Sequence, residues 1–149
     1  AGGQAGPLVC INPLTGKPAP KKSGDGLTYR GDGNLAAYRH TLVEFDTLTH
    51  EDQVKFFAAV RLPIKALIDS GNKSIHCWLD AQKLADIATS EQWDTQIKGR
   101  LFDRNLKPLG ADAACSNPAR LARLPGVRRG ENWQRILWMS PKGRTVNAA

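Results

Sequence analysis

The chain has 149 residues, long enough for one domain that buries about 70% of its unfolded surface without help from a disulfide or a structural metal. Hydrophobic residues make up 41% and charged residues 23%, the balance of a globular protein, and no apolar run approaches the roughly 18 residues of a membrane span. The net charge of +7 points to an anionic partner: nucleic acid, a nucleotide or an acidic surface.

The opening stretch AGGQAGPLVCINPL lacks a charged n-region and a long apolar h-region, so no secretory signal is expected. It also lacks an initiating Met and reads as part of a longer polypeptide. Cys10, Cys77 and Cys115 are odd in number, far apart and outside any CxxC spacing. That argues against a disulfide framework or a zinc ribbon and fits a reducing cytoplasm. Residues 1–38, rich in Gly, Pro and Lys, read as turns and extended segments, with PLVCINP as a short strand.

TLVEFDTL (41–48) alternates and is rich in β-branched and aromatic residues, which predicts a strand. Thr49, three residues before Asp52, is a capping-box-like start for a helix in HEDQVKFFAAV, closed by Pro63. IKALIDS and SIHCWLDA then read as two strands of a hairpin joined through Gly71-Asn72. AQKLADIAT predicts a short helix. SEQWDTQIKGRLFDRNL predicts a longer one, with Trp93, Ile97 and Leu101 at i, i+4 and i+8. KPLGADAACSNP reads as loop or short strand, ARLARLPG as a helical turn ending at Pro125-Gly126, and QRILWMS as a last strand. The order β-α-β-β-α-(β)-β places the chain among α+β folds, as a single domain over 1–149 with helices on one face of a largely antiparallel sheet.

Three constellations carry chemistry. Glu44 and Asp46, at i and i+2 on a strand, project to one face, where two carboxylates suit a hard cation such as Mg²⁺ or Mn²⁺. The plain alternative is a solvated polar face. In the third strand, Ser74, His76, Trp78 and Asp80 face one way while Ile75, Cys77 and Leu79 face the core. Lys73, Ser74 and His76 together suit phosphate oxygens, against the alternative of a turn-capping serine and a satisfied core histidine. Finally, Asp112 precedes Arg120 and Arg123 in GADAACSNPARLARLPG, and Arg128 and Arg129 follow. Arginines pair phosphates well, but a basic solvated loop with Asp112 paired to an arginine is the competing reading. No GxSxG elbow and no GxxxxGK[ST] loop is present.

Taken in order, LVEFD (42–46), LIDSGNKSIHCW (67–78) and ADAACSNPARLARLPG (111–126) resemble the archaeo-eukaryotic primase superfamily, and most closely the primase-polymerase domains of phages, plasmids and mobile elements. The resemblance implies an RNA-recognition-motif-like (RRM-like) catalytic sheet and template-directed nucleotidyl transfer for primer synthesis. It implies Glu44, Asp46 and Asp112 as catalytic carboxylates holding two Mg²⁺ or Mn²⁺ ions. Lys73, Ser74, His76 and Arg123 would bind the incoming nucleotide, and Arg120, Arg128 and Arg129 a single-stranded DNA template. It further implies nucleoside triphosphates as substrates and a helicase or other replication module as a partner. Glu44 departs from the Asp usual at the first position, and Asp103 in LFDRNL is the rival for the third acid. The class to weigh against an enzyme is a non-catalytic basic replication-initiator module of the same fold.

Overall fold

The centre of the molecule is a hairpin of β5 (Ile64–Asp69) and β6 (Ile75–Asp80), here seen in a computed structural model that describes residues 8–140. Its turn needs Gly71, which holds φ +70 where a side chain would be strained. β4 (His40–Val43) adds to the far side of β6, and β10 (Arg135–Met139) to the outer side of β5. The resulting sheet has the order β10-β5-β6-β4 and is antiparallel throughout. β10 forms one edge, and Ile136, Leu137, Trp138 and Met139 all remain exposed along it.

Register settles which residues share a face. Val43 and Leu67 both lie opposite Cys77, whereas Leu42 lies opposite Trp78 and Ile68 opposite His76. Ile75, Cys77 and Leu79 therefore turn to the helices, and all three are fully buried. Burial on that scale contributes about 2 kcal/mol for a side chain such as Leu79.

α1 (His50–Ala59) begins as its cap residues dictate: the Thr49 hydroxyl accepts the Asp52 N–H. It brings Phe56 and Phe57 against Phe45, with ring centroids 5.0 and 5.9 Å away. α2 starts at Ser90–Trp93 under a capping box of Thr89 and Gln92 and continues as a π-helix over Asp94–Leu106. The wider turn is visible at its end, where the Lys107 N–H bonds the Phe102 carbonyl five residues back. Trp93, Ile97, the adjacent pair Leu101 and Phe102, and Leu106 line up on one buried side.

Four readings of the sequence need correction. The strand predicted over 41–48 ends at Val43, and beyond it Phe45 makes only an isolated bridge to Ala111. AQKLADIAT yields a single 3₁₀ turn, Ala81–Lys83. ADAACSNP holds another 3₁₀ turn, Ala113–Ser116, which Asp112 caps by accepting the Ala114 N–H. The segment read as a helical turn, ARLARLPG, contains strand β7 (Leu121–Arg123), because β1 (Leu8–Cys10) pairs with it and buries Ala122 completely. Local propensity yields there to a partner from the other end of the chain.

The β1–β7 ribbon is stitched to the sheet by Asn12, which is buried. Its amide donates to the carbonyls of His40 and Pro118, and its oxygen accepts the N–H groups of Arg39 and His40. Two further hairpins complete the described chain: β2 (Ala19–Pro20) with β3 (Leu27–Thr28), and β8 (Arg128–Arg129) with β9 (Asn132–Trp133).

Candidate functional site

On the face of β6 turned away from the helices, Glu44 is the hub. Its position follows from β4: Leu42 and Glu44 share a face, and the chain leaves the sheet just after Val43. Glu44 is 7% exposed, yet its carboxylate is saturated with donors. Oε2 accepts from His76 Nε2 at 2.9 Å and from the Ser74 hydroxyl at 3.2 Å. Oε1 accepts from Arg120 Nη2 at 2.9 Å and from the Cys115 thiol at 3.4 Å. Burial by itself pushes the Glu44 carboxyl up. The hydrogen bonds from His76, Arg120 and Cys115, with the charge attraction of His76, outweigh it and hold the group far below the usual carboxylate range.

His76 is clamped from both sides. Its Nδ1 accepts the backbone N–H of Arg123 at 3.2 Å, so the proton on a neutral ring sits on Nε2 and points at Glu44. Ser74 is placed by its two neighbours in the chain. Gln53, wholly buried on α1, donates to the Lys73 carbonyl at 3.0 Å and accepts the Ile75 N–H at 2.8 Å. The helix thus holds the hairpin loop on both sides of Ser74.

Asp112 reaches the site by following Ala111, whose bridge to Phe45 brings the Asp112 N–H onto the Glu44 carbonyl at 2.9 Å. Its Oδ2 accepts from Arg120 Nη2 at 3.1 Å, so one guanidinium nitrogen spans two carboxylates. Arg120 thus turns inward, and the pairing of Asp112 with an arginine, the alternative to a phosphate contact in the sequence reading, is present. Asp103 sits elsewhere, on the exposed side of the π-helix in an ion pair with Lys107.

Among the described residues, the groups whose ligand atoms gather within 4.8 Å of one another are Glu44, Asp112 and Cys115. Asp46 lines the same cleft but is exposed and stands outside that cluster. The donor chemistry fits one hard cation: two carboxylate oxygens are already drawn together around a positive charge, the guanidinium of Arg120. Cys115 fits less well. Burial first, then the charge of Glu44, raises its thiol pKa, so it is a hydrogen-bond donor to the carboxylates rather than a thiolate ligand. Sequence reasoning passed over Cys115 as a small buried hydrophobe. The available signal was its position three residues after Asp112, across one 3₁₀ turn.

The cleft has a volume of about 770 Å³. Beside the hub it is lined by Lys73, Arg123 and Arg129, all named from the sequence, and by Lys22, Arg30 and Lys98, which were not. Arg128 is exposed, its guanidinium 5.0 Å from the centre of the Trp133 ring. Trp78 packs against His40, ring centroids 5.6 Å apart, and is not among the residues lining the cleft.

No protein-family model matches the chain, and no curated protein matches it. Among solved structures it is similar to the AEP domain of the primase-polymerase (PrimPol) of cyanophage S-2L, with a TM-score of 0.52 and 19% identity. The superposition covers 77% of this chain and 60% of that one, so the chain spans less than two thirds of the domain it matches. At this identity the likeness is one of fold: a mixed α+β architecture with antiparallel sheet, as the sequence resemblance implied. No helix of the described residues is long and apolar enough to cross a membrane.

Proposed function

We propose that the cleft is the centre of a primase-polymerase-type nucleotidyltransferase that extends a primer on single-stranded DNA, built on an RRM-like sheet. The observation that carries this reading is convergence. Glu44 after β4, Ser74 just ahead of β6 and His76 within it, and Asp112 with Arg120 ahead of β7 meet in one hydrogen-bonded cluster inside a basic cleft. A protein that only binds DNA has no need of carboxylates gathered against its ligand's charge.

In this reading the incoming triphosphate lies along Lys73, Ser74, His76 and Arg123. Lys73 is exposed at the cleft and free to meet the outer phosphates. The Ser74 hydroxyl and the Nε2–H of His76 are donors now aimed at Glu44, and both are of the kind that would bond a phosphate oxygen. Mg²⁺ or Mn²⁺, bound through Glu44 and Asp112 with Asp46 from the cleft rim, would supply the Lewis acidity that helps a 3′-hydroxyl displace pyrophosphate. Arg120 holds those two carboxylates in place, and with a cation bound there its guanidinium would be available to phosphate. Arg128 and Arg129 serve the template backbone, and a helicase or other replication module supplies the strand.

A second reading has its own observation. Arg120 already neutralises Glu44 and Asp112, as it would in a replication-initiator module that binds DNA without catalysis. Primer synthesis on single-stranded DNA with labelled nucleotides, with and without Mn²⁺, separates the two. Product that disappears in Glu44→Ala and Asp112→Ala supports the enzyme. DNA binding with no product under either metal supports the module.

A further inference from the structure

We infer that the β2–β3 hairpin is a binding prong for single-stranded nucleic acid, in which Lys22 and Arg30 take backbone phosphates and Tyr29 stacks on a base. This rests on the nucleic-acid reading of the cleft and adds a surface that reading does not use. Lys22 and Arg30 line the same cleft as Glu44, His76 and Arg120, although they come from the Gly/Pro-rich segment that precedes the sheet. Between and beside them the hairpin shows Leu27 at 62% and Tyr29 at 65% exposed. Exposed apolar and aromatic side chains beside cations are what a sequence-tolerant single-strand site needs, since each base offers a flat face and each linkage a charge. A site for phosphate alone would need only the cations.

The hairpin is fixed rather than draped. Asn34 is fully buried, and its amide donates to the carbonyls of Lys17 at 2.7 Å and Thr28 at 3.0 Å, one on each limb. The Thr15 N–H bonds the Asn34 carbonyl, and the Ala36 N–H bonds that of Pro13, tying the base of the prong to the segment after β1. Tyr29 and Arg30 therefore project from a held frame, which lowers the ordering entropy a strand must overcome on binding. Lys22 pairs with Asp32 at 3.2 Å, but it is 91% exposed, and such a surface pair yields readily to a polyanion. The cations lie at the rim, while Ser74 and His76 are buried, so the prong suits a strand running out of the cleft rather than a second mononucleotide pocket.

The test is fluorescence anisotropy of a labelled oligothymidylate with the whole chain across a salt series, run beside the primer-synthesis assay. Lys22→Ala with Arg30→Ala should weaken binding and flatten the log–log salt slope by about 1.4, the release expected from two phosphates on a single strand. Tyr29→Ala should weaken binding by about tenfold with the slope unchanged, and Tyr29→Phe should restore it, because the face of the ring rather than the hydroxyl carries the stacking. Asp32→Asn should tighten binding slightly by freeing Lys22. Wild-type affinity and slope in both the double variant and Tyr29→Ala would overturn the inference, as would Tyr29→Ala and Tyr29→Phe being equally impaired. Binding by the wild type to anionic phosphatidylserine vesicles but not to the oligonucleotide would overturn it in favour of a lipid surface. A wild type that binds through the prong yet makes no product would refute the polymerase reading alone. A wild type that makes product while the prong variants bind normally would refute the prong alone.

Discussion

Ile75 and His76, neighbours at the start of β6, are buried almost equally and do opposite things. Ile75, Cys77 and Leu79 are fully buried in the hydrophobic core, while Ser74 and His76, at 6% exposure each, both bond the Glu44 carboxylate. Exposure alone does not distinguish a core from a site. What distinguishes them is whether each buried group is satisfied by shape or by a particular donor. A face of the first kind tolerates a change of side chain if volume is kept. A face of the second kind fails when one partner is withdrawn, because the remaining charge is left without compensation.

The sharpest contrast comes from truncating the apolar face. Leu79→Ala should cost about 2–5 kcal/mol in denaturant unfolding and leave nucleotide affinity in the surviving folded protein unchanged. Equal losses of stability and nucleotide affinity per folded molecule would break the separation of the faces. On the polar face, Arg120→Ala should cost about 1–3 kcal/mol, below the figure for a fully buried pair because Arg120 is partly exposed. Unlike the first loss, this one should be recovered by Mn²⁺, so that the metal raises the melting temperature of Arg120→Ala more than that of the wild type. A variant indifferent to the metal would remove Glu44 and Asp112 from consideration as its ligands.

A smaller effect follows from protonation. The folded-state pKa of Glu44 is depressed, so its contribution is complete above the unfolded value of about 4.3 and drains away as the pH falls towards the folded one. Melting temperature should therefore fall more steeply below about pH 4.5 in the wild type than in Glu44→Gln, which lacks the ionisation. Parallel curves would mean that Glu44 is not held as described. The smallest effect belongs to Asp103→Ala. This variant removes only an exposed ion pair with Lys107 and should cost about 0.3–0.5 kcal/mol, with primer synthesis intact. Loss of synthesis there, with Asp112→Ala active, would exchange the roles of the two acids.

What the sequence revealed depends on how local the cause was. The alternation in SIHCWLD and the Thr49–Asp52 cap are set by neighbouring residues, and both elements lie where the pattern puts them. The stretch ARLAR fits helix and strand spacing alike. Its strand conformation comes from Leu8–Cys10 at the other end of the chain, which no window around Arg120 contains. The same long reach hides the inward turn of Arg120. The sequence leaves open whether the arginine meets phosphate or Asp112, whereas its direction follows from Asn12 and the β1–β7 ribbon, which hold the loop against the sheet. Along the chain only the preceding Leu109 and the SNPARLARLPG context favour Asp112 over Asp103. The isolated Phe45–Ala111 bridge carries one of them to Glu44, and the buried stripe of the π-helix turns the other to solvent.

Gln53 gives the molecule a built-in gauge. The Ile75 N–H is bonded not to a neighbouring strand but to a single side-chain oxygen on a helix. Its exchange with deuterated water is therefore timed by α1 letting go of the loop, whereas the Cys77 and Leu79 amides report on the sheet as a whole. A ligand that seats on Ser74 should slow that one amide before it slows its neighbours. The occupancy of the loop then becomes readable as a clock at one position, in a protein with no chromophore at the site and no need of turnover.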